Sequence, residues 1–237
     1  MTLIRRLDET AQALAEALPG AAGARILPVP DWLQRAGQEG TLRRPLAWRN
    51  TVLATATLRR LHVEYFAIPG EIAVLHVCAF PHLDRALPIF GFDVIAGRDR
   101  ATGCFLDLSP SVPEAEAMVA AWGGRAAARL PSLGLQRSLP EWTAIFSPQA
   151  VAVRPADVAG FDAGLDFGRE SLAMLLAAEA PRLQETTAMA AAQRRYVEAQ
   201  RRNDRTRRML AGCIGTALAD AFIATCLFPL PPAMAEG

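Results

Sequence analysis

The sequence LRRLHVEYFAIPGEIAVLHVCAF, at residues 58–80, gives the clearest indication of the fold. It contains two runs rich in Val, Leu, Ile and aromatic residues, and Pro69-Gly70 separates them. Runs of this length and composition are typical of β-strands, and a Pro-Gly pair between two runs indicates a turn. We therefore predict strands at 58–66 and 71–80.

Two more runs of the same character follow at 90–96 and 103–108. The connections between the four runs are short, which favours an antiparallel meander over parallel strands joined by crossover helices. Residues 142–153 are expected to add one or two strands around Pro148.

Helical patterns lie on both sides of these strands, and a loop rich in Pro and Gly is expected between the first helix and the first strand. The expected helices cover 8–18, 112–128, 167–180, 182–200 and 205–228. This order predicts an α+β fold, a three-layer α/β/α sandwich with a central antiparallel sheet. No repeat or linker divides the sequence, so 1–237 is expected to form a single domain.

The composition excludes several classes of protein. Of the 237 residues, 51% are hydrophobic and 21% are charged, which is typical of a globular domain with a packed core. The net charge of +1 gives no field that would require nucleic acid or an acidic membrane as a partner. The four cysteines lie singly in apolar surroundings, so we expect reduced, buried thiols in a cytoplasmic protein and no metal site.

The segment 209–228 is long enough to cross a bilayer, but Asp220 interrupts it. An aspartate at mid-span costs about 2.5–3.5 kcal/mol on insertion scales, and a segment rich in Ala, Gly and Thr offsets little of that. A buried core helix is therefore favoured over a membrane anchor.

Ionisable side chains interrupt three of the predicted strands. His76 stands in an otherwise apolar run, and Asp93 stands where burial disfavours a carboxylate. His62 and Glu64 are two residues apart and so share one face of their strand. Singly, each has a structural explanation: a hydrogen-bonded core histidine, an exposed glutamate or a salt-bridged aspartate. Together they can lie on one sheet face, where clustered groups acquire the shifted proton affinities that proton transfer requires.

The helical third contains a polar stripe. Tyr196, Gln200, Asn203 and Arg207 recur at steps of four, three and four, so one continuous helix would place them on one face. Such a stripe is usually solvated, yet Tyr, Gln and Asn make good hydrogen-bonding walls for a ligand.

Seven arginines lie between positions 194 and 208, against two acidic residues. Their counterparts could be ligand carboxylates, an acidic protein or phosphate groups, or the segment could be a solvated basic helix. The sequence contains no P-loop, dinucleotide-binding glycine pattern, zinc motif or serine-hydrolase motif. A redox enzyme built from this sequence would need a bound organic substrate and an external source of electrons.

Three separated motifs resemble those of the ferredoxin-dependent bilin reductases. They are PIFGFD at 88–93, DLSP at 107–110, and Tyr196 followed by Gln200 and NDRTRR at 203–208. The resemblance implies an α/β/α sandwich that binds biliverdin between the sheet and the carboxy-terminal helices. It also implies electrons from reduced iron-sulfur ferredoxin, no bound cofactor, and a protein that supplies the protons.

Within the family, the phycocyanobilin-forming branch is the most similar. By this resemblance Asp93 is the central proton donor, His76 is its hydrogen-bonded partner, and Glu64 is the donor near the D-ring vinyl group. Asp204 matches the helix-side aspartate of most members. Asp107 we interpret as structural, at the end of the fourth strand.

The resemblance also implies the substrate contacts. Arg137 matches a basic residue that holds one propionate, and Arg205 stands where a lysine commonly holds the other. His62 and Tyr196 match a supporting hydrogen-bond network. Gln200 and Asn203 belong to the polar stripe and are expected to line the ligand site.

The predicted function is the ferredoxin-dependent reduction of biliverdin IXα to phycocyanobilin through bilin radicals. Two alternatives stay open: a reductase that yields phycoerythrobilin or another isomer, and a non-catalytic bilin-binding protein. A nucleic-acid scaffold is disfavoured because the basic helix has only one aromatic residue. Heme oxygenase upstream and a phytochrome-type acceptor downstream are the expected partners in the pathway.

Overall fold

A single antiparallel sheet forms the centre of the computed structural model, which describes residues 1–36 and 46–232. Within these residues the sheet has eight strands, in the order β1-β2-β3-β4-β5-β6-β8-β7. The strands are β1 Arg25–Ile26, β2 Ala47–Ala54, β3 Leu58–Ile68, β4 Ile72–Pro81, β5 Ile89–Gly97, β6 Ala101–Ser109, β7 Leu135–Gln136 and β8 Val151–Arg154.

Helices precede and follow the long strands. They are α1 Leu3–Ala17, α2 Asp31–Ala36, α3 Glu116–Leu133, α4 Val158–Ala177, α5 Thr187–Gln200, α6 Asp204–Ile214 and α7 Thr216–Phe222. A π-helical turn at Ile223–Leu227 continues α7. Short 3₁₀ turns lie at Leu18–Gly20, Pro113–Ala115 and Glu141–Ile145.

Both faces of the sheet are covered, because the central strands carry apolar side chains on each side. One face packs against α1, α3 and α4 in a core that includes Leu7, Leu75, Phe92, Trp122 and Phe161. The other face packs against α5, α6 and α7 in a core that includes Phe66, Phe80, Val197, Leu210 and Phe222. The predicted α+β fold, a three-layer α/β/α sandwich, is therefore confirmed.

The four long strands predicted from the sequence are all present, and their ends lie within two residues of the predicted ones. The expected strand at 142–153 is only partly right, since Glu141–Ile145 is a 3₁₀ turn and the strand begins at Val151. The helix expected from residue 167 begins at Val158, because the Asp157 side chain caps it by accepting a hydrogen bond from the Gly160 N–H.

The first correction concerns β2, which the sequence analysis assigned to a loop. Residues Ala47–Ala54 pair with β3 from Ala47↔Ala67 to Leu53↔Leu61. This strand supplies two side chains to the candidate site described below.

The second correction concerns the polar stripe. Helix α5 ends at Gln200, and Asn203 caps the next helix, where its side chain accepts a hydrogen bond from the Arg205 N–H. The predicted common face of Tyr196, Gln200, Asn203 and Arg207 is therefore wrong beyond Gln200. The expected helix at 205–228 is likewise divided at Gly215, whose φ of 83° suits a residue without a side chain.

Among residues 1–36 and 46–232, no helix is both long and apolar enough to cross a membrane. The four cysteines are buried, as expected, and form no disulfide among the described residues.

Candidate active site

A row of ionisable residues crosses the sheet on the face covered by α5–α7. Glu64 on β3 lies opposite His76 on β4, and His76 lies opposite Asp93 on β5. Residues that pair across strands project to the same side, and so does His62, two positions before Glu64. The structure thus brings together the four ionisable residues that the sequence analysis found in three separate strands.

His76 and Asp93 form the centre of this row. The His76 Nδ1 atom lies 2.6 Å from Asp93 Oδ1, and His76 is buried while the Asp93 side chain is 38% exposed. Burial opposes a charge on the imidazole, but the adjacent carboxylate outweighs it and holds the pKa of His76 well above its ordinary value. The pair is therefore an imidazolium that donates to a carboxylate at neutral pH.

The other ring nitrogen of His76 faces the carboxy-terminal turn. Its Nε2 is buried and has no hydrogen-bond partner among the described residues. The ring of Phe228 packs edge-on against the imidazole, with 5.5 Å between the ring centroids. A buried N–H without an acceptor destabilises the protein, so a ligand with a hydrogen-bond acceptor would be favoured next to His76 Nε2.

Glu64 is buried beside this pair and accepts a hydrogen bond of 2.7 Å from the indole N–H of Trp48. Burial raises the pKa of Glu64 to about 7, and the charge of His76 and the bond from Trp48 limit the rise. A carboxyl group with such a pKa can both give and take a proton near neutral pH.

His62 lies 6.2 Å from His76 between ring centroids, yet its state is the opposite. Burial, and then the charges of Arg60 and His76, lower its pKa well below the ordinary value. Its Nε2 lies 2.8 Å from the Asn50 Oδ1, so the neutral ring donates there. His62 is therefore a neutral hydrogen-bonding residue of this site.

Helix α5 supplies the opposite wall. The Gln200 side-chain amide donates to the Tyr196 hydroxyl at 2.9 Å, and both residues are buried. They line a small cavity of about 20 Å³ together with Gly91, Asp93 and Phe105. A Cβ atom at Gly91 would lie 2.8 Å from the Tyr196 hydroxyl, so glycine allows this close approach.

The comparison with known protein families agrees with this arrangement. A sequence model of the family "Ferredoxin-dependent bilin reductase" matches residues 11–229. This chain belongs to that family.

The bilin reductase is similar to curated members of one branch. It is 34% identical over 187 residues to the phycocyanobilin:ferredoxin oxidoreductase of Synechococcus sp., which covers 77% of this chain and 75% of the relative. It is 33% identical over 186 residues to that of Gloeobacter violaceus, covering 77% and 74%. The resemblance seen in the sequence motifs is confirmed, and the chain is a ferredoxin-dependent oxidoreductase.

The fold agrees as well. The solved structure of tomato phytochromobilin synthase in complex with biliverdin superposes with a TM-score of 0.71 at 20% identity, covering 93% of this chain and 82% of that one. At this identity the likeness establishes a shared fold.

The remaining residues that the sequence analysis assigned to the substrate lie at the edge of the cavity or outside it. Arg137 is exposed, donates to the Thr102 carbonyl at 2.8 Å, and lies 5.5 Å from the Phe105 ring centroid, so it is at the rim. Asp204 and Arg205 are exposed in the first turn of α6.

Asp107 connects the sheet to the loop before β8. It is buried and accepts hydrogen bonds from the hydroxyls of Ser109 and Ser147 and from the Ser147 N–H. Burial raises its pKa to about 6, and these bonds limit the rise. These contacts support the structural role expected for it, although it also lines the cavity.

The sequence analysis missed Trp48 and Asn50, because it did not predict β2. The available signal was weak: Trp48, Asn50 and Val52 alternate with Arg49 and Thr51, and asparagine is uncommon in strands. Once β2 is paired with β3, the alternation places Trp48 and Asn50 beside Glu64 and His62.

Proposed function

We propose that this bilin reductase reduces biliverdin IXα to phycocyanobilin, with electrons from reduced ferredoxin and protons from the face of the sheet. The observation that carries the proposal is the row Glu64, His76 and Asp93, which reaches through Asp93 a cavity walled by Tyr196 and Gln200. The similar phycocyanobilin:ferredoxin oxidoreductases support the choice of product.

Asp93 is the proposed central donor because its carboxyl group is the member of the row that lines the cavity. Each electron that enters a tetrapyrrole in an apolar cavity makes it more basic, and uptake of one proton neutralises the new charge. The His76 imidazolium holds the required proton 2.6 Å from Asp93, so Asp93 can relay it to the substrate and be recharged by His76.

Glu64 is the proposed donor for the D-ring vinyl group. Its pKa of about 7 lets it give up a proton at neutral pH and regain one between steps. Two donors at different positions in the row can deliver protons to different parts of one extended substrate, and this separation would determine which bilin is formed.

Substrate binding requires the sheet and the carboxy-terminal helices to move apart. The cavity of about 20 Å³ is far smaller than the roughly 300–1,000 Å³ of ligand pockets, and Phe228 occupies the space above His76. In this proposal the tetrapyrrole displaces Phe228 and gives His76 Nε2 an acceptor. Arg137 and Arg205 then bind the two propionates, and Asp204 and Asn203 approach the substrate from the helix side.

The proposed setting is the reducing cytoplasm, where the four buried thiols stay reduced. There biliverdin is supplied by a heme oxygenase, and the product passes to a phytochrome-type acceptor.

The test is anaerobic incubation of the protein with biliverdin and reduced ferredoxin, followed by chromatography of the pigments. We expect phycocyanobilin as the main product. Phycoerythrobilin or another isomer would identify a different member of the same family. Unchanged biliverdin that stays bound would identify a bilin-binding protein without turnover and would contradict the proposal.

A further inference from the structure

Trp48 is an uncharged residue that donates a hydrogen bond to the buried carboxyl group of Glu64. Its indole N–H donates to Glu64 Oε1 at 2.7 Å, and Glu64 is only 5% exposed. In the register of β2 and β3, Trp48 pairs with Phe66, so it lies diagonally across from Glu64. Diagonal neighbours of this kind are within reach of long aromatic side chains.

Two aromatic residues fix the orientation of this donor. The Trp48 ring packs edge-on against Phe66 of β3, with 5.9 Å between centroids, and against Phe222 of α7, with 4.7 Å. An indole held from both the sheet and the helix layer has little freedom to turn away. The hydrogen bond to Glu64 is therefore preorganised before a substrate enters.

Several ionisable groups face Glu64 from the surrounding elements: His62 on its own strand, His76 on β4, Asp93 on β5 and Cys226 on the carboxy-terminal turn. The positive charge of His76 favours the carboxylate form and the negative charge of Asp93 opposes it. His62 is neutral, and burial keeps the Cys226 thiol protonated by raising its pKa to about 11. In addition to these groups, the Trp48 indole N–H stabilises the carboxylate form of Glu64 by a hydrogen bond.

We propose that Trp48 is a positioning residue that holds the Glu64 carboxyl group in place and sets the pH range over which it delivers its proton. The effect of Trp48 on the Glu64 carboxyl group is independent of the proposed function, and only its effect on bilin reduction rests on that function. Reduction of the vinyl group breaks its π bond and forms two C–H bonds, with two electrons from ferredoxin and two protons. Glu64 gives one proton per electron and is reprotonated from solvent between the two steps.

The direct test measures the carboxyl band of Glu64 by infrared spectroscopy as a function of pH, without substrate. The Glu64→Gln variant identifies the band by its loss. In Trp48→Phe, which keeps an aromatic ring but removes the donor, the midpoint should rise by about one pH unit, because a hydrogen bond to the carboxylate is removed.

Trp122→Phe is the matched control. The Trp122 indole N–H donates to the Ser171 hydroxyl at 3.0 Å, in the core on the other face of the sheet. This variant also loses a buried indole hydrogen bond, yet its Glu64 midpoint should equal that of the unmodified protein. An unchanged or lower midpoint in Trp48→Phe would overturn the inference.

A second measurement needs no variant that could fail to fold. In the unmodified protein, the indole N–H resonance of Trp48 should shift downfield as Glu64 ionises, with the same midpoint as the infrared band. The Trp122 resonance should not follow this titration. A Trp48 resonance that is insensitive to pH in this range would contradict the inference.

Turnover measurements distinguish a failure of the inference about Trp48 from a failure of the proposed function. In anaerobic reactions with reduced ferredoxin, the yield of vinyl-reduced product should fall at a higher pH in Trp48→Phe than in the unmodified protein, by about one pH unit. If the spectroscopic midpoints shift but no bilin is reduced by any form, the proposed function fails and the hydrogen bond stands. If bilin is reduced with identical pH profiles, the inference fails and the function stands.

Discussion

Two buried histidines on one sheet face have opposite protonation states because their partners differ. His76 contacts the Asp93 carboxylate at 2.6 Å, and His62 contacts the Asn50 amide at 2.8 Å. Burial acts on both rings in the same direction, but only a carboxylate compensates for the charge. A carboxylate in place of an amide thus decides which histidine is charged and which one is neutral.

Asp93→Asn tests this role of the carboxylate. The substitution keeps the size of the side chain and removes the carboxylate that would relay the proton of His76, and it also leaves His76 without a counter-charge. The variant should bind biliverdin and accept an electron, then stall before the next protonation, so that a bilin radical accumulates. Electron paramagnetic resonance and visible absorption during anaerobic turnover report this state.

His76→Gln is the companion variant and should show a milder form of the same defect, because it removes the partner and keeps the donor. Turnover by Asp93→Asn at the normal rate would move Asp93 from the catalytic residues to the structural ones. Failure of that variant to bind biliverdin would do the same.

Glu64 should make the stability of the protein depend on pH. Its pKa is 4.5 as an ordinary carboxyl and about 7 when folded, so the folded state holds a proton that the unfolded state releases. Stability is therefore lost as the pH rises from about 4.5 to about 7, by at most about 3 kcal/mol. Glu64→Gln should remove this loss, so it should gain stability relative to the unmodified protein across that window.

Chemical denaturation at several pH values measures the effect. A difference between the two proteins that is constant from pH 4.5 to 7 would show that Glu64 ionises at its ordinary value. The same Glu64→Gln protein should stop at a partly reduced bilin during turnover. Full conversion to phycocyanobilin would show that another residue protonates the vinyl group.

Arg137 and Arg205 are the proposed propionate-binding residues, and each is exposed. Arg137→Ala or Arg205→Ala should weaken biliverdin binding by about 1.5–3 kcal/mol, because each variant removes a charge-assisted hydrogen bond to a carboxylate. Absorbance titration gives the affinities. Arg154→Ala is a suitable control, because Arg154 is an exposed arginine on β8. Unchanged affinity in both test variants would refute the assignment.

At the scale of elements, the sequence predicts structure where its patterns are strong. The runs at β3–β6 combine apolar and β-branched residues with short turns, and they are strands. His76 and Asp93 are conspicuous in such apolar runs, which is why the ionisable row of the site could be predicted. The segment Arg49-Asn50-Thr51 carries no such pattern, so β2 becomes a strand only through its pairing with β3.

The division of the carboxy-terminal helices was predicted only in part, because the helix ends expected near 200 and 205 are found and the division at Gly215 was missed. At the first division the local signal is Asn203, whose side chain caps α6 by accepting a hydrogen bond from the Arg205 N–H. Tertiary contacts add to it: the Arg201 guanidinium donates to the carbonyls of Ala224 and Phe228. These bonds hold the π-helical turn that places Phe228 against His76.

Arg201→Met tests whether this turn depends on the arginine. Loss of its bonds to two carbonyls should reduce the free energy of unfolding by about 2 kcal/mol. The buried Cys226 thiol, which lies within the turn, should also react faster with alkylating reagents. Arg202→Met is the control, since Arg202 is exposed and its loss should change stability by no more than about 0.5 kcal/mol. Equal behaviour of the two variants would contradict the assignment.

At the scale of the whole molecule, the sheet separates two layers with different tasks. The layer of α1, α3 and α4 covers an apolar sheet face. The layer of α5–α7 covers the face that carries the ionisable row. A wider groove of about 470 Å³ runs along α3, but among the described residues Glu116 is the only ionisable one that lines it. The cluster of ionisable residues, rather than the size of the opening, therefore identifies the candidate site.

The central claim is that the tetrapyrrole binds between the sheet and α5–α7 and receives its protons there. A crystal structure of the protein with biliverdin, grown without reductant, tests this most directly. We expect biliverdin over the row Glu64, His76 and Asp93, with the Asp93 carboxyl group within hydrogen-bond distance of a pyrrole nitrogen and Phe228 displaced from His76. Biliverdin in the groove along α3, or out of reach of Asp93, would contradict it.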